Sequence, residues 1–226
     1  MKLSHIPLYG AALALVLLSG CATQAPAHDY TAFMKAKPAT LLVLPPVNDS
    51  PEVTATPGVW AHATRPLAEA GYYVLPITLV DETFRQNGVT SANEVQDIPL
   101  QKLREFFGAD AAVYLRVKQY GTSYAVVTSE TRVTVEGHIV DLRSGETLWK
   151  GAATASSAEQ QQHSQGGLAG LLITALVKQI VSTTTDESYR YANVAGYRLL
   201  NSSRHNGVLP GPRSPNYGQP PGAAVR

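Results

Sequence analysis

Cys21 is the only cysteine among 226 residues, and its setting points to one covalent chemistry. The run Leu18-Ser19-Gly20-Cys21 matches a bacterial lipobox, in which the thiol takes a diacylglyceryl group, the chain is cut between Gly20 and Cys21, and the new amine is acylated with a fatty acid such as palmitate. The residues in front have the layout of an export signal, with Lys2 for positive charge, Leu8 to Leu18 as an apolar stretch, and small residues before the cut. That stretch is shorter than the roughly 20 apolar residues needed to span hydrocarbon. An ordinary secretory signal with an unmodified cysteine is the competing reading; the sole cysteine stands where lipidation requires it, which favours the lipid. One fatty chain holds a protein only marginally, at about 0.8 kcal/mol per buried methylene, whereas several hold it firmly. Ala22 follows the cysteine, where an aspartate tends to retain lipoproteins in the inner membrane of well-studied Gram-negative bacteria. The expectation is therefore a lipid-anchored protein of the outer membrane with its domain facing the periplasm, surface exposure staying open.

Other candidates for chemistry are weaker. Pro45, Pro46, Asn48, Asp49 and Ser50 follow the end of an apolar strand, where open α/β sheets bind ligands. They also read as two prolines and an Asx-type turn that merely stop the strand, and the lack of a glycine-rich phosphate cradle favours that reading. His5, His28, His62, His138, His163 and His205 show no pair at metal-ligand spacing, so no metal site is expected. There is no G-x-S-x-G elbow, so we expect no enzyme and no cofactor, with an envelope hydrolase or small-ligand carrier as the rival class. Within Asp141-Leu-Arg-Ser-Gly-Glu-Thr-Leu-Trp149, Asp141 and Gly145 suit a tight turn, and Trp149 offers an apolar plate to a covering helix or, less simply, to a partner.

These residues need a framework to place them. Thr40 to Pro45 is continuously apolar and reads as a strand buried on both faces; Gly58 to Ala70 has helical spacing; Tyr72 to Pro76 is a second short strand. Strand, helix, strand implies a parallel pair. Ile77 to Arg85 and Pro99 to Phe107 read as helices, and Ala111 to Tyr120 as a third strand. Val133, Val135, Gly137 and Ile139 alternate with polar residues along Glu130 to Leu142, and the turn at Arg143 to Gly145 returns the chain through Glu146 to Lys150 in an antiparallel hairpin. The predicted fold is α/β, a three-layer sandwich-like domain with a mixed sheet. Gly166 to Ser182 is a further helix, apolar nearly all round, so Leu168, Leu171, Leu172, Leu176 and Ile180 belong either to the core or to an oligomer or partner interface. Tyr189 to Leu200 suggests a last helix. The divisions are residues 1–20 signal peptide, 21–38 lipidated flexible tether, 39–200 domain, and 201–226 a Pro/Gly-rich tail expected to be disordered.

Lys and Arg number 18 and Asp and Glu 17; loss of Lys2 with the signal leaves the mature chain balanced, which argues against nucleic acid as a partner. Without Cys21 the domain has no thiol, so disulfides are excluded and a hydrophobic core must hold it together.

The lipobox, LLVLPPVNDS, GYYVLP, FFGADAAVYLRV and VEGHIVDLRSGETLWKG together resemble an outer-membrane lipoprotein family typified by a neisserial surface-antigen lipoprotein, from about residue 30 to residue 200. No catalytic motif is carried over. The resemblance implies a fold similar to the N-terminal domain of TolB and to lipoprotein activators of peptidoglycan synthases. Members of that family are often encoded beside a lipoprotein resembling the curli secretion channel, which the resemblance offers as a partner. The function expected is a membrane-anchored, non-catalytic binding and assembly module of an envelope complex, with a peptidoglycan-binding lipoprotein as a further alternative and self-association as a possible mode.

Overall fold

The computed structural model describes residues 28–124, 129–161 and 187–221. Gly20, Cys21 and the apolar helix expected at 166–182, with Leu168, Leu171, Leu172, Leu176 and Ile180, lie outside the described residues. The chain runs α1 (Thr31–Ala36), β1 (Thr40–Val43), β2 (Val47–Asn48), α2 (Ala55–Glu69), β3 (Tyr73–Val74), α3 (Ile77–Gln86), α4 (Ala92–Gln96), α5 (Leu100–Phe107), β4 (Ala111–Tyr124), β5 (Ser129–Asp141), β6 (Thr147–Ser156), α6 (Ala158–Gln161) and α7 (Glu187–Leu200).

One mixed sheet organises these elements in the order β3-β1-β4-β5-β6, with β2 also pairing to β4. β1 is parallel to β3 and β4, while β4, β5 and β6 are antiparallel to one another. Leu41 to Leu44 are wholly buried, so both faces of β1 are covered, as its unbroken apolar run requires. In β5 the period is two: Val133, Val135 and Ile139 point inward, while Arg132, Glu136 and His138 are exposed. Helix α7 packs against α2 and across β4, β5 and β6 on the inward face. It can approach closely because Gly137 and Gly151 are cross-strand partners. A Cβ on Gly151 would come within 2.6 Å of the Trp149 ring and 3.4 Å of Leu199, and one on Gly137 within 3.3 Å of Leu199. The two glycines therefore leave a trough that Trp149 and Leu199 fill, and Trp149, 1% exposed, takes the covered position anticipated for it.

Around Pro45-Pro46 the expectation of a strand stop needs correction. Val43 is registered with Val113 and Val47 with Arg116, so four steps along the first strand match three along β4. The chain bulges by one residue and then resumes as β2. Neither proline has an N–H to give the ladder. Their carbonyls are satisfied from outside it: Gln96 donates to Pro45 O at 2.9 Å and to Leu115 O at 3.1 Å, and the Thr56 hydroxyl donates to Pro46 O at 3.0 Å. Gln96 belongs to α4, a helix absent from the sequence reading although Ser91 and Glu94 form its capping box.

Both flanks of the domain also differ from expectation. The tether was set to run to residue 38, yet Thr31–Ala36 is helical and Phe33 is buried. The tail was expected to be disordered from residue 201, yet residues 201–221 lie against the domain. Trp149 Nε1 donates to Asn206 O at 2.9 Å, Tyr72 donates its hydroxyl to Leu209 O, and Val208 is fully buried. Gly211 N donates to Ala70 O at 2.7 Å and Arg213 N to Gly71 O at 3.0 Å. At Gly71, φ is +95°, and an added Cβ would lie 2.3 Å from Ser214 N, so only glycine permits this approach. The tail is held mainly through backbone groups, which composition does not reveal. Among the described residues no helix is long and apolar enough to cross a membrane.

Candidate functional site on the open face of the sheet

The alternation that buries Val133, Val135 and Ile139 under α7 turns the intervening side chains of β4, β5 and β6 to the other face. Helices α3, α4 and α5 close the parallel end of the sheet, where Val80, Phe84, Val95 and Leu103 are buried and the Phe84 and Phe107 rings meet at 5.2 Å. Across the antiparallel part Arg116, Lys118, Arg132, Glu136, His138, Lys150 and Ala152 stay exposed. Strand register sorts them into rows: Tyr114, His138 and Lys150 are successive cross-strand neighbours, and so are Arg116, Glu136 and Ala152. Opposite charges thus stand side by side in the second row, an arrangement worth a few tenths of a kcal/mol and poor at capturing an anion.

In the first row the Tyr114 and His138 rings stack, centroids 4.9 Å apart and planes within 6°. Desolvation by its surroundings, with the Arg116 charge adding to it, lowers the His138 pKa, so the ring is neutral at pH 7. Burial raises the Tyr114 phenol in the opposite direction and keeps it protonated. Gln96 forms one wall of a cleft of about 460 Å³ over this face, with Tyr114, Arg116, Glu136, His138 and Lys150 among its lining.

The loop picked out from sequence stands at the margin of the cleft and is engaged structurally. Pro45 and Pro46 are buried. Asn48 Oδ1 accepts from Ser50 N at 2.9 Å and from the Ser50 hydroxyl at 2.7 Å, while its amide donates to Glu52 O at 2.8 Å, a closed Asx turn. Asp49 accepts from Lys118 Nζ at 2.7 Å and Arg116 Nη1 at 2.8 Å, and the Lys118 ammonium, helped by the Arg116 guanidinium, holds its carboxyl below the usual range. Asp49 and Ser50 border only a shallow trough of about 330 Å³ beside Lys118 and Gly121.

Thr134 and Thr154, hydroxyls on the same face, bond to each other at 3.0 Å, and Thr134 also bonds to Gln119. Among the described residues no three of His, Cys, Asp and Glu are grouped to hold a metal ion. Arg116, Lys118, Glu136 and Lys150 were not singled out by the sequence, and His138 was considered only as a metal ligand. The polar half of the alternation along 130–142 was the available signal, and pairing with β4 and β6 is what converts it into a surface.

Comparison with known proteins covers nearly this whole structure. The family model described as "Putative lipoprotein GNA1162-like" matches residues 28–213, which include α1, the sheet and the docked tail through Arg213. The chain is 46% identical over 208 residues to "Putative lipoprotein NMB1124/NMB1162" of Neisseria meningitidis serogroup B, covering 92% of this chain and 96% of the relative. The crystal structure of lipoprotein GNA1162 from Neisseria meningitidis is 44% identical, with a TM-score of 0.51, and covers 64% of this chain and 99% of its own. The LpoB C-terminal domain from Salmonella enterica matches at 16% identity and a TM-score of 0.38, covering 52% of this chain and 82% of its own. With a family model spanning so much of its length and a near-full-length relative at this identity, the chain belongs to the GNA1162-like lipoprotein family.

Proposed function

We propose that this protein is a lipid-anchored, non-catalytic module of the bacterial envelope that binds a partner through the open face of β4, β5 and β6. The observation carrying this reading is a face that no described element covers: two registered rows of exposed side chains around the stacked Tyr114–His138 pair, beside a core closed by helices. Mixed charge in alternating rows suits a folded protein partner, whose own charges are matched in register, better than a uniformly charged polymer. The anchor is Cys21, acylated after cleavage between Gly20 and Cys21. The membrane is the outer one, with the domain facing the periplasm. The partner is an envelope protein, of which a secretion-channel-like lipoprotein in a curli-like assembly is the specific candidate.

Photo-crosslinking side chains placed at His138 and Lys150 in intact cells test the face, with a control at Arg85 on α3. One protein captured from the sheet positions and absent from the control is the expected result; equal capture from all three overturns it. Fractionation of Cys21→Ala cells, with mass spectrometry of the mature N-terminus, tests the anchor; unchanged membrane association or an unacylated start overturns it. Self-association through Leu168, Leu171, Leu172, Leu176 and Ile180 is a separate proposal, and a monomer by light scattering counts against it. The rival carrier or hydrolase reading of the Pro45 to Ser50 loop loses support, because Asn48, Asp49 and Ser50 are bound to one another and to β4.

A further inference from the structure

We infer that the apolar cavity between α1 and the docked C-terminal tail holds a fatty acyl chain carried on Cys21. This rests on the reading of Cys21 as the lipid attachment point. The cavity measures about 560 Å³, and Tyr30, Phe33, Met34, Tyr72, Leu209 and Tyr217 supply the large apolar and aromatic side chains of its wall. A chain of about sixteen carbons packed at protein density fills roughly 430 Å³, so one acyl chain fits.

The wall is mostly apolar. The Tyr30 hydroxyl donates to Gly207 O and the Tyr72 hydroxyl to Leu209 O, each at 2.5 Å, so both phenols are already satisfied by the tail. Burial pushes the Tyr30 pKa up to about 12 and Tyr72 higher, keeping both uncharged. At the mouth, Met34 and Tyr217 are 58% and 48% exposed, leaving apolar surface in water that an entering chain would cover. The polar groups lining the cavity are His28, Asp29, Lys37 and Gln219, and His28 lies seven positions along the chain from Cys21.

Chain length selects the occupant. Residues 22–27 separate Cys21 from His28, a link whose extended reach is at most about 25 Å. A fatty chain on Cys21 is thus tied next to the opening, where its effective concentration exceeds that of any free lipid. Seated there, it would be shielded from water whenever the protein is away from a bilayer.

The lone cysteine gives a direct test. The full mature chain, from residue 21 to 226, is alkylated at Cys21 with a sixteen-carbon maleimide ending in a trifluoromethyl group, and the fluorine resonance is recorded with a water-soluble paramagnetic agent. In the monomer the expected signal is broad and protected from the agent, and Met34→Glu or Tyr217→Glu, both at exposed positions, abolishes the protection while thermal unfolding stays unchanged. The same fluorinated chain supplied as a free fatty acid to the Cys21→Ala chain distinguishes the source: weak binding that saturates only at high concentration supports the tethered occupant, and binding as complete as in the alkylated chain overturns it. An exposed fluorine, or protection that survives both substitutions, overturns the inference. An unacylated Cys21 in cells would instead overturn the anchor reading and the native occupant with it, whatever the label reports.

Discussion

Replacing Gln96 with leucine tests the account of the proline bulge most directly. The substitution keeps much of the side-chain volume and removes one amide that serves two carbonyls, Pro45 O at 2.9 Å and Leu115 O at 3.1 Å. Each hydrogen bond contributes about 1 kcal/mol net, and a buried carbonyl left without a donor costs about 1–3 kcal/mol. Pro45 is buried, and a proline bulge has no ladder N–H to offer in exchange, so a loss of about 2 kcal/mol is expected. For a domain of this size that lowers Tm by roughly 4–8 °C. Calorimetry on the unlipidated Cys21→Ala chain measures it, and hydrogen exchange locates it. The amides of Leu44 and Asp49, which donate to Val113 O and Val117 O on either side of the bulge, should exchange faster, while those of β5 and β6 change less. Gln96→Glu, which offers acceptors where a donor is needed, should lose at least as much. A Gln96→Leu protein within about 0.5 kcal/mol of the parent, with unchanged exchange at Leu44 and Asp49, would refute the claim that this side chain holds the bulge.

Gly71→Ala should detach the tail, because an added Cβ meets Ser214 N at 2.3 Å on a backbone with φ of +95°; faster tryptic cleavage after Arg213 and a lower Tm check it. Trp149→Phe removes the Nε1 bond to Asn206 O while keeping an aromatic ring in the trough, for a loss of about 1 kcal/mol in denaturant unfolding and increased tail cleavage. Desolvation lowers the pKa of His62, which lies against Tyr189 at 4.3 Å, and does the same at His138. The unfolded chain therefore binds protons first as pH falls, so stability is full above the ordinary histidine pKa of about 6.5 and declines below it until the folded-state value is passed. Unfolding midpoints from pH 7.5 to 5 should show this decline, and His62→Gln should flatten part of it.

What could be read in the residues depended on where the specifying interaction lay. The β5 alternation from Val133 to Ile139 was legible because one face is dry and the other wet, and period two follows from that alone. The apolar run at Leu41 to Leu44 declared a doubly buried strand for the same reason. The bulge after it was not legible: two prolines forbid ladder donation, but whether the chain leaves the sheet or steps past one residue depends on β4 and on Gln96, fifty positions downstream. Strand β6 ran on through Gly151-Ala-Ala-Thr-Ala-Ser156, a sequence of small residues with little strand preference, because Trp149 and Leu199 need that low surface to settle into. The tail was misjudged since its attachment uses main-chain groups and one buried valine. The candidate face fared similarly: its polar residues were visible singly, while their rows exist only through pairing.

The meeting of the two ends of the domain has a mechanical consequence. His28 N donates to Asn206 Oδ1 and Tyr30 to Gly207 O, so the first described residues are stitched to the tail, which is itself fastened to Gly71 and Trp149. Tension arriving from a lipid anchor at Cys21 would reach these bonds before any strand of the sheet, since His28 and Tyr30 precede β1 in the chain. If the protein is held by that end, the grip of its first residues on its own tail is the first non-covalent contact to carry the load.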